Sequence, residues 1–498
     1  MIDEKKAKRM FARIKNDISK DIEQNNFTRG LSRIDCYARC AEGLNSMMRD
    51  DYVENKILSI STKLFPTTYV ESMETVIVFY DQIGTTKCLA LQYLRGFIAN
   101  GYEVVYVYEN PLNEPQKELL EEVSRLCVRT EILSKHSNKE PIKVGSYIIE
   151  VIKSVRPKAI FTHSPSYGAL CCSILCSISG IKKFRIVPGD HHFYIGYAGI
   201  DYFVEFRDYG INYAIDYRGL SVNQLFKLPY YPIIDEFIPF KGLPHISGQR
   251  VSLIMAGDAY KFCGSNFIFE LSDYILSKYE DVVIYHIGPR FKELVSYISK
   301  GGYHSRLIPL GYRNDFSACI RECDILIGSY PIGGGLVPQT AAFYSKPIVS
   351  LVDGNGYSLR EILGNNADSA SISFENKELL FSYVDKLLED LVFRKSEGIR
   401  MHKCLQTKEK FDSLLNEIII HPELNLKWFR RCKEPLNKQY YMFLQNNFKP
   451  TLLYYLIDQY GFSFLLHFLP LMLPLSYLFV NSFIKAQLLR KINRVKEA

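Results

Sequence analysis

The stretch Ile325–Leu351, ILIGSYPIGGGLVPQTAAFYSKPIVSL, decides the fold. A short apolar strand ends at Ile327. The three glycines Gly333, Gly334 and Gly335 then open a helix carrying Gln339, and Pro347–Leu351 supplies the next strand. Strand, glycine-rich loop, helix and strand make one unit of a buried parallel sheet. Glycine lets a backbone come close to a bulky anion, and the free N–H groups of a helix N-terminus favour phosphate. The spacing is neither G-x-G-x-x-G nor a loop closed by G-K-[ST], so it supports neither a nicotinamide site nor a P-loop. The plainer alternative is a tight turn that needs glycine for geometry alone.

The same rhythm runs upstream. Val251–Met255, Val282–Ile287 and Leu307–Leu310 read as strands, with helices over 265–279, 290–299 and 314–322. An earlier series has strands Thr75–Tyr80, Glu103–Tyr108, Ala159–Thr162 and Phe184–Val187, with helices over 88–100, 114–127, 142–155 and 166–179. Apolar strands alternating with helices predict an α/β protein of two doubly wound, Rossmann-like domains. Tyr230-Tyr231-Pro232 ends the first series, and polar Lys241–Gln249 links it to the second. The chain thus divides into an N-terminal helical region (1–70), a first Rossmann-like domain (71–240), a second (241–375) and a C-terminal helical region (376–498). Leu31, Ile34, Ala38, Ala41 and Leu44 give the first region its helical spacing.

Composition narrows the class. A length of 498 residues exceeds one hydrophobic core, and 47% hydrophobic with 23% charged residues is a globular balance. The net charge of +7 suits anionic substrates or an anionic lipid surface and is too small to argue for nucleic acid. Twelve cysteines are scattered without C-x-x-C spacing, as expected for reduced thiols in a cytoplasmic protein. The charged N-terminus, MIDEKKAKRMFARIKNDISK, has no apolar segment of the signal-peptide kind.

Two further loops join the glycine-rich one. Met255–Phe262 (MAGDAYKF) puts Gly257 at the end of the first strand of the second domain, with Lys261 just beyond. Ile308–Phe316 (IPLGYRNDF) puts Tyr312 and Arg313 after the third. Loops at the carboxyl ends of parallel strands converge on one crevice.

With these motifs the chain resembles the donor domain of GT-B glycosyltransferases, over roughly residues 75–365. The nearest branch is that of bacterial relatives of the O-linked N-acetylglucosamine transferases. The resemblance implies diphosphate contacts at Gly334 and Gly335, neutralisation by Lys261, a frame for uracil at Tyr312 and Arg313, and a ribose or phosphate contact at Gln339. Leu336 and Val337 stand where that branch has His-Thr, which implies a grip made by backbone.

The first domain is then expected to hold the acceptor and the base. Pro188–Tyr209 carries Asp190, His191 and His192, followed by Glu205 and Arg207 on an aromatic strand. Asp190-His191, Gly196, Glu205–Gly210 and Pro229–Pro232 match motifs of bacterial proteins of this type. Histidine suits proton abstraction near neutral pH, and a neighbouring carboxylate can orient it. His191 ranks first as base, then Asp190, then His192. His163 is a further candidate, and by resemblance Gly84 admits the acceptor. With no D-x-D element in strand context, leaving-group charge falls to backbone, Lys261 and a helix end, and no metal or other cofactor is expected beyond a UDP-sugar donor.

Phe462–Ile484 contains 23 uncharged residues, and Lys485–Lys496 adds five basic ones. Pro470 and Pro474 interrupt the apolar run, so insertion at the inner face of the cell membrane is expected ahead of a true span; a buried helix is the alternative. The expected function is sugar transfer to a lipid-linked glycan or other acceptor in surface polysaccharide or glycoconjugate assembly. Alternatives are a protein O-glycosyltransferase, a UDP-sugar epimerase and a non-catalytic UDP-sugar-binding assembly partner.

Overall fold

The computed structural model describes residues 4–44, 47–73, 75–83, 87–109, 114–133, 140–190, 192–234, 238–262, 265–289, 294–297, 305–352, 359–364, 373–422, 449–461 and 468. Three helices come first: α1 (Glu4–Glu23), α2 (Phe27–Leu44) and α3 (Asp51–Leu64). Asp50 caps α3 by accepting the Tyr52 N–H and also holds Lys15 at 2.6 Å. Ile14, Ile18, Ile34, Ile57 and Ile60 close this layer into one apolar core.

The first sheet has seven parallel strands, β1 (Val76–Asp81), β2 (Glu103–Tyr108), β3 (Arg129–Ile132), β4 (Ala159–His163), β5 (Lys182–Ile186), β6 (Tyr202–Glu205) and β7 (Leu225–Lys227). Their spatial order is β3-β2-β1-β4-β5-β6-β7. Helices cover both faces: α4 (Lys87–Ala99) and α5 (Glu114–Leu126) on one, α6 (Pro141–Val155) and α7 (Ala169–Ser177) on the other. That double cover is why the strands read as apolar throughout.

The second sheet repeats the pattern with β8 (Val251–Ala256), β9 (Val282–Ile287), β10 (Leu307–Gly311), β11 (Ile325–Ile327) and β12 (Ile348–Val349), all parallel, in the order β10-β9-β8-β11-β12. In each sheet the order reverses beside the first strand, between β1 and β4 and between β8 and β11. Such switch points open a crevice at the carboxyl ends of the strands.

Several of the described elements escape the sequence pattern, among them these. The edge strand β3 is the polar RTEI, β7 has three residues, and α8 (Asp208–Arg218) is buried nearly all round by tyrosines and polar groups, so no apolar stripe marks it. The strand expected through Arg207 ends at Glu205, and Arg207 instead precedes the first turn of α8. The expected helix over 290–299 lies largely outside the described residues.

The rest of the second domain brings α9 (Phe267–Lys278), α10 (Phe316–Glu322), α11 (Leu336–Phe343) and α12 (Leu359–Leu363). Beyond residue 375 the chain visits three places. α13 (Lys377–Glu389) fills the core of the second domain through Leu380, Val384 and Leu387. α14 (Leu391–Lys403) crosses so near the end of α11 that a Cβ at Gly398 would stand 1.8 Å from the Ser345 carbonyl oxygen. α15 (Lys408–Ile420) returns to the first domain, where Phe411 meets Tyr93 edge to face. α16 (Lys449–Tyr460) lies on α2, burying Leu456 and Ile457 in the N-terminal helical core. The apolar stretch 462–484 and the basic 485–496 lie outside the described residues, apart from Phe468, which is buried against the Tyr460 ring. Among the described residues no helix is long and apolar enough to cross a membrane.

Candidate functional site

At the carboxyl end of the second sheet three loops are tied by backbone. Gly257 N–H donates to Ile287 O at 3.0 Å, and Gly288 N–H donates to Gly311 O at 3.0 Å. A Cβ on Gly288 would stand 2.1 Å from the Gly257 carbonyl oxygen, and both residues have positive φ, so only glycine fits this approach. Tyr312, 76% exposed, donates its hydroxyl to Asp258 at 2.9 Å and links the first loop to the third. Arg313 turns away from the crevice: its guanidinium is held by Asp315 at 2.7 Å and by the Gly242 carbonyl at 2.9 Å.

Lys261 closes the space between the first loop and the glycine-rich one. Its carbonyl accepts the Ile332 N–H, and its Nζ is 3.2 Å from where a Cβ of Gly334 would be. Burial lowers the pKa of the ammonium, against the opposing pull of Asp258. Next to it α11 starts at Leu336. Its N-cap residue is Gly335, which has no side chain to cap the first turn. A partly buried cation beside an uncapped helix start is suited to a bound anion. Gly333 lies in the same loop. Gln339, one turn into α11, is buried, and its Nε2 donates to Tyr230 O at 3.1 Å and Ile362 O at 2.8 Å. It thus joins the second domain to the crossing segment of the first.

The first sheet presents a different chemistry at its switch point. Asp81 ends β1 and His163 ends β4, and they are register partners. His163 Nδ1 lies 3.0 Å from Asp81 Oδ1, with both side chains fully buried. Asp81 also accepts the Tyr106 hydroxyl at 2.6 Å and the Ile83 N–H at 2.9 Å. Burial pushes this carboxyl up, but the charge and hydrogen bonds of His163, Tyr106 and Ile83 outweigh it and the pKa is lowered. Among the described residues His163 Nε2 has no hydrogen-bond partner. In the sequence Asp81 directly follows the apolar run Thr75–Tyr80, the one local signal of its place at a strand end.

The other first-domain candidates are distributed differently. Asp190 is buried and ion-paired with Arg207, while Arg218 Nη2 donates to the Asp190 and His192 carbonyls at 2.7 and 2.8 Å. His192 Nδ1 lies 3.5 Å from Glu42 of α2, so the N-terminal helices reach this crevice. Glu205 sits beneath, with Arg218 Nη1 at 3.5 Å but outside hydrogen-bond geometry. Burial, aided by the charge of Asp190 and opposed by Arg218 and Arg207, raises the Glu205 pKa to about 8. His191 and Gly84 lie outside the described residues.

No protein-family model matches the sequence, and no curated protein matches it. Solved structures do. A glycosyltransferase from Rickettsia africae ESF-5 superposes with a TM-score of 0.53 at 13% identity, covering 71% of this chain and 100% of that one. A point mutant of S. aureus TarM, in complex with Fondaparinux, alpha-GlcNAc-glycerol and UDP, superposes with a TM-score of 0.50 at 9% identity, covering 70% and 100%. The likeness is one of fold: two Rossmann-like domains in the GT-B arrangement.

Proposed function

We propose that the chain is a glycosyltransferase that takes a sugar from a nucleotide donor, UDP-linked by the resemblance of its loops, and passes it to an acceptor hydroxyl. The observation that carries this reading is the Lys261 ammonium beside Gly334 at the uncapped start of α11. As the bond between the anomeric carbon and the diphosphate oxygen breaks, negative charge collects on the diphosphate. A fixed cation and helix N–H groups stabilise that charge without reorganising, which is the role a divalent metal plays elsewhere. In an inverting transfer the acceptor oxygen forms the new bond while its proton passes to a base. Among the described candidates His163 is best disposed for this: Asp81 fixes one ring nitrogen, and the other has no partner among the described residues. The acceptor we favour is a lipid-linked glycan at the inner face of the cell membrane, on the strength of the uncharged and basic tail sequence.

Calorimetry with UDP tests the donor site. The wild-type chain is expected to bind UDP, and Lys261→Ala to bind roughly 10–100-fold more weakly, the worth of one charge-assisted contact. Because burial already lowers the Lys261 pKa, wild-type affinity should decline with rising pH before the ordinary lysine value of 10.5, and the variant should lack that decline. Equal affinity in a folded variant would remove the diphosphate from Lys261. Sugar release from labelled donor, with and without a lipid acceptor, then separates transfer from epimerisation and from binding alone.

A further inference from the structure

Besides Gln339, the second domain reaches into the first through a side chain whose partner is a helix start. Glu361, on the short helix α12, is buried, and its Oε2 accepts the N–H of Tyr209 at 3.0 Å in the first turn of α8. α8 is 11 residues long, so its N-terminus carries the usual unsatisfied N–H groups and partial positive charge. The residue before it, Arg207, is ion-paired with Asp190 on the loop between β5 and β6. The Arg207 guanidinium lies in the field of both carboxylates: burial would loosen its proton, but Asp190 and Glu361 outweigh that and raise its pKa. On the other side Ile362, next to Glu361, is held by Gln339 of α11, the helix that starts at the glycine-rich loop. A continuous set of polar contacts therefore runs from α11 through α12 to α8 and the Asp190 loop.

We propose that Glu361 is a positioning residue that clasps the second domain to the start of α8, so that the glycine-rich loop and the loop carrying Asp190 hold one mutual placement. It touches no substrate and acts through the Tyr209 N–H and Arg207. The labels donor side for α11 and acceptor side for α8 rest on the function proposed above; the clasp does not. The buried carboxylate accepts one N–H of the other domain and its charge acts on Arg207, so its removal leaves an open helix start and a guanidinium with one fewer counter-charge nearby.

Hydrogen exchange of the full chain tests this. Glu361→Ala should speed exchange about tenfold or more in peptides covering 208–213 and 187–194, the loss of one charged hydrogen bond, while peptides of β8 and β9 keep their wild-type rates. Glu361→Gln keeps an acceptor oxygen without the charge and should fall between the two. Wild-type rates over 208–213 in Glu361→Ala, or a uniform rise over both domains, would overturn the clasp; the second result would make Glu361 an ordinary stabilising contact. A second arm adds UDP, the probe used. In the wild type UDP should slow exchange over 208–213, and in Glu361→Ala it should bind without that effect. Equal slowing in both would overturn the coupling. If wild-type protein binds no UDP, the donor reading fails, and the ligand-free arm still decides the clasp.

Discussion

At Glu205 burial outweighs two neighbouring arginines, and the consequence is measurable. The folded carboxyl has a pKa of about 8 against an ordinary 4.5, so the native state keeps a proton that the unfolded chain has released. The stabilisation is complete below the unfolded value and is lost as pH rises through about 8, at about 1.4 kcal/mol per pH unit. Glu205→Gln retains the shape without the proton. Its unfolding free energy should lack much of the fall that the wild type shows across this window; identical slopes in urea titrations would assign the proton elsewhere. His163, the base proposed above, allows a test on activity. His163→Ala is expected to lower turnover by ~10²–10⁴-fold with UDP affinity unchanged, and Asp81→Asn to lower it in the same direction because the ring loses its orienting partner. Near-normal turnover in His163→Ala would move the base to the Asp190–His192 loop.

At the scale of elements, α8 shows how a helix can be hidden in sequence. Its run DYGINYAIDYR has no apolar stripe because tyrosines and polar groups face protein nearly all round. The glycine within it is explained by packing: a Cβ at Gly210 would stand 2.4 Å from Glu205 Oε2 and 3.0 Å from the Asp190 Cβ. Overpacking of this kind typically costs ~1–3 kcal/mol. Gly210→Ala should therefore lower the urea midpoint with an unchanged m-value, and full stability in that variant would mean that the Glu205 side chain can yield. By contrast β1, β2, β8 and β9 were legible to within a residue or so. Their apolar runs are bounded by polar loops, and covering helices on both faces permit no alternation.

For the whole molecule, the described helices after residue 403 return to the first half of the chain. α15 packs on α4, and α16 packs on α2. α16, which precedes the uncharged stretch 462–484 in sequence, thus lies on the N-terminal helical layer, on which α1 exposes Lys8, Arg9 and Arg13. If the tail meets an anionic surface, each nearby Lys or Arg adds ~1 kcal/mol. Full-length protein should float with anionic vesicles at low salt, and a chain ending at residue 461 should not. High salt should release a tail held at the interface, since screening acts on charge and not on buried apolar area. Full-length protein that ignores such vesicles, beside a shortened chain that stays folded and active, would make the segment a core helix.

By itself the sequence determined the two-fold α/β rhythm, the loops that meet at Gly257, Lys261 and Gly334, and the glycines those loops require. These are local matters: strand burial is written in continuous apolar runs, and close backbone approach is written in glycine. Tertiary structure alone decided what the ionisable groups do. Asp81 and His163 are 82 positions apart and become partners only because β1 and β4 are neighbours across the switch point. Arg313 and Gln339 lie at the same end of the second sheet as Lys261, yet the Arg313 guanidinium is taken by Asp315 and the Gln339 Nε2 by two backbone carbonyls. Glu361 has no motif around it and acquires its role from the way the second domain meets α8. A charge's partner depends on distance through space and on the water excluded around it, and neither quantity is encoded in spacing along a chain.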